Sequence, residues 1–166
     1  MKPSDTFKVE ASGDREIIMT REFDAPRELV FEALTKPEFV SQWLLGPPGW
    51  TMPVCQIDFR VGGAYRYVWR NEDGREMGMG GNYIEVVRPE RIVHTERFDE
   101  AWYEGESLNT WALIERDGRT TLTLTSRYET RAVRDEVLDS GMQSGVAASY
   151  DRLDDILAKM AEQLAR

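Results

Sequence analysis

FDAPRELVFEALTKPEFVSQWLLGPPGWTMPVCQIDFRVGGAYRY, residues 23–67, changes its hydrophobic period midway, and that change decides the fold. Asp24-Ala25-Pro26 signals a helix start, because proline's fixed φ suits a first turn. Leu29, Val30, Ala33 and Leu34 then share one helical face. Thr35 and Glu38 have the spacing of a capping box opening a second short helix, with Pro37 in its first turn. Gly46-Pro47-Pro48-Gly49 stops it. From there the period is two: Cys55, Ile57 and Phe59 alternate with Gln56, Asp58 and Arg60. Gly62-Gly63 turns the chain, and Tyr65, Tyr67 and Trp69 continue an aromatic face opposite Arg66 and Arg70.

Upstream, Glu16–Phe23 reads as a first strand, and residues 1–14 as a loose polar arm ahead of one domain over 15–166. Downstream, a turn at Asn71–Gly74 leads into a strand over 75–87, where Gly78, Gly80 and Gly81 suggest a bulge or strong bend. Strands over 92–98, 107–115 and 120–128 follow, the last two joined across Arg116–Arg119. The period then becomes helical, with a short helix over 131–139 and a capping pattern at Ser140 and Gln143. Met142, Val146, Tyr150, Leu153, Leu157, Met160 and Leu164 form one apolar stripe on a long final helix. The expected architecture is α+β: a curved antiparallel sheet of about seven strands wrapped on that helix, with two short helices after the first strand. A sheet bent by glycines and lined by large side chains leaves a mostly apolar cavity against the helix.

Charge and composition exclude several roles. The 166 residues carry a net charge of −9, with a pI near 4.8, and no basic stripe overrides that field, so nucleic acid is not an expected partner. One cysteine, Cys55, rules out an internal disulfide, and one histidine, His94, lies far from it, so no metal site or cofactor is expected. The polar N-terminus lacks the apolar stretch of a signal peptide, and no run is long enough for a membrane span. A reduced, cytoplasmic protein is the expectation.

Residues 23–67 resemble the START-like (SRPBCC, Bet v 1-like) superfamily, and within it the activator-of-heat-shock-protein-90-ATPase homologue family. The helix-start Ala25-Pro26, the TKPE…W-x-x-GPPG stretch around Trp43 and the D-F-R-x-G-G turn at Asp58–Gly63 carry the resemblance. ERIVHTERF, the DGRTTLTLT hairpin and the final helix follow in order, so that it spans about residues 15–163. It implies a helix-grip fold; its motifs are structural, and members bind or process very different molecules. Bacterial relatives commonly have tryptophan after the glycine opening the final helix, whereas Val146 follows Gly145 here. Either the cavity is larger on that side, or Tyr150 fills the space.

The candidate ligand-binding residues are Trp43, Tyr65, Tyr67, Trp69, Met79, Tyr83, His94, Val146 and Tyr150. Ordinary core packing is the plainer account of each one singly; together they are more aromatic and Met-rich than a core this size needs. His94 and Glu96 share a strand face and are the candidate catalytic pair, a hydrogen-bonded core histidine being the plainer account. Ser144 lacks the G-x-S-x-G context of a nucleophile, and Cys55 reads as a structural thiol. Trp102 beside Tyr103 marks either a homodimer patch or a loop.

Three functions follow. The first is binding of a hydrophobic or aromatic small molecule between sheet and final helix, in a general stress or metabolite-handling role. The second is a cyclase, dehydratase or hydrolase using His94 and Glu96. No nucleophile, metal site or cofactor fingerprint stands beside them, which places catalysis behind binding. The third, implied by the family name alone, is stimulation of a chaperone ATPase by contact with the chaperone.

Overall fold

The computed structural model describes residues 2–166. A 3-10 turn, Pro3–Thr6, precedes β1 (Lys8–Ser12) and β2 (Glu16–Phe23); α1 (Arg27–Thr35) and α2 (Pro37–Trp43) follow. Then come β3 (Trp50–Ile57), β4 (Ala64–Asn71), β5 (Glu76–Val87), β6 (Arg91–Phe98), β7 (Ser107–Arg116) and β8 (Arg119–Arg127). The chain ends in α3 (Arg131–Asp139) and α4 (Met142–Leu164). All strands pair antiparallel in one sheet of order β1-β2-β8-β7-β6-β5-β4-β3. β3 to β8 run as a meander because each connection joins neighbouring strands, and the α1–α2 pair carries the chain from β2 to the opposite edge.

Eight strands stand where about seven were expected, because part of the segment read as a loose arm is ordered. Lys8–Ser12 pairs with β2 from Lys8 opposite Thr20 to Ser12 opposite Glu16, and Phe7 meets Tyr150 edge-to-face at 5.8 Å. Polar residues conceal such an edge strand, whose backbone pairing is joined by only one side chain, Val9, packed against the core.

Alternation places one face of each strand toward α4. In β2 that face is Ile17, Met19, Arg21 and Phe23, all buried. The helix answers with Tyr150, Leu153, Ile156, Leu157 and Met160, each buried, whereas Leu164 at the end of the expected stripe is exposed. Arg21 is buried among them and is tied to α4 through Asp151 at 3.0 Å and Asp154 at 2.8 Å. Two buried clusters result, a large one under α1, α2 and α4 and a smaller one under α3, and Val146 packs against both.

Local signals misplaced three features. Thr35 donates its hydroxyl to the Phe31 carbonyl at 2.9 Å instead of capping α2, because it ends α1 and its side chain turns back into that helix. Ser140 likewise bonds back to Val137, and Gly141, in left-handed backbone, stands at the start of α4. In β5 the register break lies between Tyr83 and Glu85 rather than at the glycines. Gly81 serves a close approach instead: a Cβ there would lie 2.0 Å from the Thr95 carbonyl oxygen. Among the described residues no helix is long and apolar enough to cross a membrane.

Candidate ligand cavity

The sheet and α4 do not close on one another. Between them lies a cavity of about 420 Å³, within the size range of small-molecule sites. Its floor is the concave sheet face, its roof is α4 at Met142, Val146 and Tyr150, and one wall is the segment from Trp43 to Pro47. Trp69 Nε1 donates to the Leu44 carbonyl at 2.7 Å, Ser149 Oγ accepts from the Gly46 amide at 2.9 Å, and Arg152 donates to the Gly46 carbonyl at 2.8 Å. The Leu44–Gly46 segment is therefore pinned to both layers, and Trp43 is locked by its own bond to the Ala33 carbonyl at 2.8 Å. Pro47, Met77 and Trp102, the exposed members of the lining, mark where the cavity meets solvent.

All nine residues expected to bind ligand border this cavity. Tyr65 and Tyr67 lie tilted against one another with ring centres 5.0 Å apart, and Tyr83 joins Tyr65 at 5.5 Å. Met79 lies beside them, being paired with Tyr67 across the β4–β5 ladder. Tyr150 packs edge-on against Phe23 and beside Trp43, filling one end, while the shorter Val146 borders the open space. Cys55 lies outside the lining; it is half-buried rather than a core thiol, and burial pushes it up to about 11, so it is inert.

His94 and Glu96 also reach the cavity from the same face of β6. They are enclosed by protein, and the surface they retain faces the cavity. Their bonding differs. Trp111 Nε1, which can only donate, bonds His94 Nε2 at 2.9 Å. That nitrogen must therefore accept, and the ring proton sits on Nδ1, 3.2 Å from both the Thr95 carbonyl and Tyr65 Oη. Tyr65 Oη donates to the same carbonyl at 2.5 Å. A second ring proton would face the Trp111 N–H, and burial holds His94 down at about 4. With its lone pair occupied, His94 is a structural hub and offers no free base.

Glu96 Oε1 accepts from Tyr103 at 2.9 Å. Oε2 has no protein partner and is not occluded. Burial pushes the carboxyl up to about 6, the Tyr103 bond opposing that rise. Behind it Ser126 Oγ bonds Asn109 Oδ1 at 2.6 Å, Asn109 Nδ2 bonds Ser107 Oγ at 3.0 Å, and Ser107 Oγ bonds Tyr103 Oη at 3.1 Å. Since Tyr103 gives its proton to Glu96, Ser107 must donate to Tyr103, so every donor in this chain points toward the carboxylate.

Sequence reading missed that chain. Tyr103, weighed there only as part of a surface pair with Trp102, is buried. The signal was the period-two run Ser107, Asn109, Trp111, which sets polar groups on the inward face. Among the described residues no group of three or more His, Cys, Asp or Glu is placed to hold a metal ion.

The family model for Activator of Hsp90 ATPase homolog 1-like protein matches residues 24–158. A crystal structure of a protein from Rhodobacter sphaeroides is 33% identical, with a TM-score of 0.88, covering 93% of this chain and 99% of that one. Protein CV1439 from Chromobacterium violaceum is 29% identical, with a TM-score of 0.75 over 86% of this chain and 96% of that one. Protein NE0264 from Nitrosomonas europaea shares the fold at 21% identity, with a TM-score of 0.80 over 92% and 99% of the two chains. No curated protein matches the chain.

Proposed function

Because the chain belongs to the Activator of Hsp90 ATPase homolog 1-like family of the SRPBCC/Bet v 1-like superfamily, whose members commonly bind hydrophobic ligands, we propose that it binds a hydrophobic or aromatic small molecule between the sheet and α4. The observation carrying this reading is a cavity of about 420 Å³ with aromatic walls, of which Trp43, Trp69 and Trp111 are held by hydrogen bonds within the protein. Walls held in place before binding need not be ordered by the ligand, so apolar burial converts into affinity with little loss. The lone free thiol, Cys55, suits the reducing cytoplasm proposed for this activity.

A thermal-shift screen against lipophilic and aromatic compounds tests the reading. A ligand at about a hundred times its dissociation constant adds roughly 2.7 kcal/mol, worth several degrees in a domain of this size. Val146→Trp fills the roof and is expected to remove the shift while leaving a cooperative melt. Full ligand response in a folded Val146→Trp protein overturns the assigned geometry.

An enzymatic reading ranks second and rests on Glu96, which has an accessible oxygen and a carboxyl raised to about 6, a value suited to proton transfer near neutrality. His94, paired with it in the sequence reading, has its lone pair engaged by Trp111. On this reading Glu96→Gln ends turnover of any substrate the screen yields while binding persists; unchanged turnover removes it. Chaperone stimulation has only the family name behind it and ranks third.

A further inference from the structure

We propose that the ligand carries an organic cation, a protonated amine on a lipophilic or aromatic body, and that Glu96 is its counter-ion; the inference rests on the binding reading above and names the class of molecule. Among the described residues Glu96 is the single carboxylate bordering the cavity, and no lysine or arginine borders it. A carboxylate enclosed in protein ordinarily has a cationic partner, because taking it out of water unpaired is unfavourable. Here the titratable neighbours are phenols and one imidazole. Tyr103 bonds it directly, Tyr65 and Tyr128 lie within its field, and His94 stands two residues along β6. Burial raises all three phenols and lowers the imidazole, so each remains neutral.

The protein nonetheless directs four donors in series, from Ser126 through Asn109, Ser107 and Tyr103, at one oxygen of this group, which favours its charged form. It leaves the other oxygen free on the cavity side. Phe98, two residues along β6 from Glu96, packs edge-on against Trp102 at 5.7 Å and Tyr103 at 5.8 Å, and Phe98 and Trp102 line the same cavity as Glu96. Such rings attract an ammonium group and favour it over an anion. The overall charge of −9 draws cations toward the protein from a distance. The same arrangement rejects lipophilic acids, since a ligand carboxylate would face Glu96 with nothing between them.

Three naphthalene probes of one shape decide the matter: naphthylmethylamine, naphthylmethanol and naphthoic acid, titrated by tryptophan fluorescence at about pH 7.5, where the protein's carboxylates are ionised. The amine is expected to bind about tenfold or more tighter than the alcohol, as one charge-assisted hydrogen bond allows, with the acid weakest. Glu96→Gln is expected to bring amine and alcohol within about threefold of each other. If that variant does not fold, wild type at about pH 5 replaces it: the amine, still protonated, then loses its advantage as Glu96 takes up a proton. Equal binding of amine and alcohol to wild type, or an amine preference surviving Glu96→Gln, overturns the cation site and leaves the cavity reading standing. No binding by any of the three, with a flat wider screen, overturns both.

Discussion

Two positions on one face of β6, His94 and Glu96, reach the same cavity and have been finished in opposite ways. Both nitrogens of His94 are engaged, by Trp111 on one side and by Thr95 and Tyr65 on the other. Glu96 is bonded through one oxygen and free through the other. Burial drives the two in the same chemical direction, toward the neutral form, so their pKa values move apart from their ordinary order: the imidazole to about 4, the carboxyl to about 6. A buried polar group with every partner in the protein is a structural element, whereas one with an unused valence facing a cavity is a place for a ligand.

The sharpest way to break this contrast is His94→Phe, which preserves a planar ring but strips Trp111 Nε1 of its acceptor. About 3 kcal/mol of stability at neutral pH is expected to be lost, the upper range for orphaning a buried donor, and urea unfolding reads it. A loss under about 1 kcal/mol would mean that His94 is not a structural hub.

A smaller effect of opposite sign is expected from Glu96→Gln. The folded protein holds the carboxyl above its ordinary 4.5, so the native state binds more protons between about 4.5 and 6 and stability falls as pH rises through that window. Removing the charge should return roughly 2 kcal/mol at neutral pH in the absence of ligand. His94 has the reverse sign. Held below its ordinary 6.5, it binds fewer protons in the native state, and stability falls as pH drops from about 6.5 toward 4. The two slopes oppose each other between about 4.5 and 6, so wild-type stability should be nearly flat there. Glu96→Gln exposes an acid-labile slope beginning near 6.5, and His94→Phe exposes stabilisation on acidification. Asp99, held low by Arg66, titrates below its ordinary 3.8 and stays out of this window. Urea midpoints for the three proteins across that range check the pattern, and parallel curves would sink it.

Much of the site was legible from period alone. Once Tyr65, Tyr67 and Trp69 alternate with Arg66 and Arg70, their facing is settled by the pleat, and the final helix is announced by its stripe. The resemblance through residues 23–67 supplied the helix-grip arrangement. What stayed hidden has identifiable causes. β1 has only Val9 and Ala11 on its apolar side, too short a pattern to stand out, and is fixed by pairing with β2. The capping pattern at Thr35 was outcompeted by back-bonding within α1, whereas Ser140 both bonds back to Val137 and accepts the Met142 amide at 3.3 Å from outside the helix. Tyr103 lies in a loop, where no period assigns a side.

The sequence by itself determined the element types, the inward faces and the presence of one histidine and one glutamate on a shared strand face, because side-chain direction along a strand is a local property. It could not distinguish the two residues. Which of them is saturated depends on Trp111 from β7 and on Tyr103 from the loop before it, brought to β6 only when the sheet assembles. Hydrogen-bond satisfaction is a relation among distant residues, so tertiary structure alone decided that His94 belongs to the scaffold and that Glu96 keeps an oxygen free for the cavity.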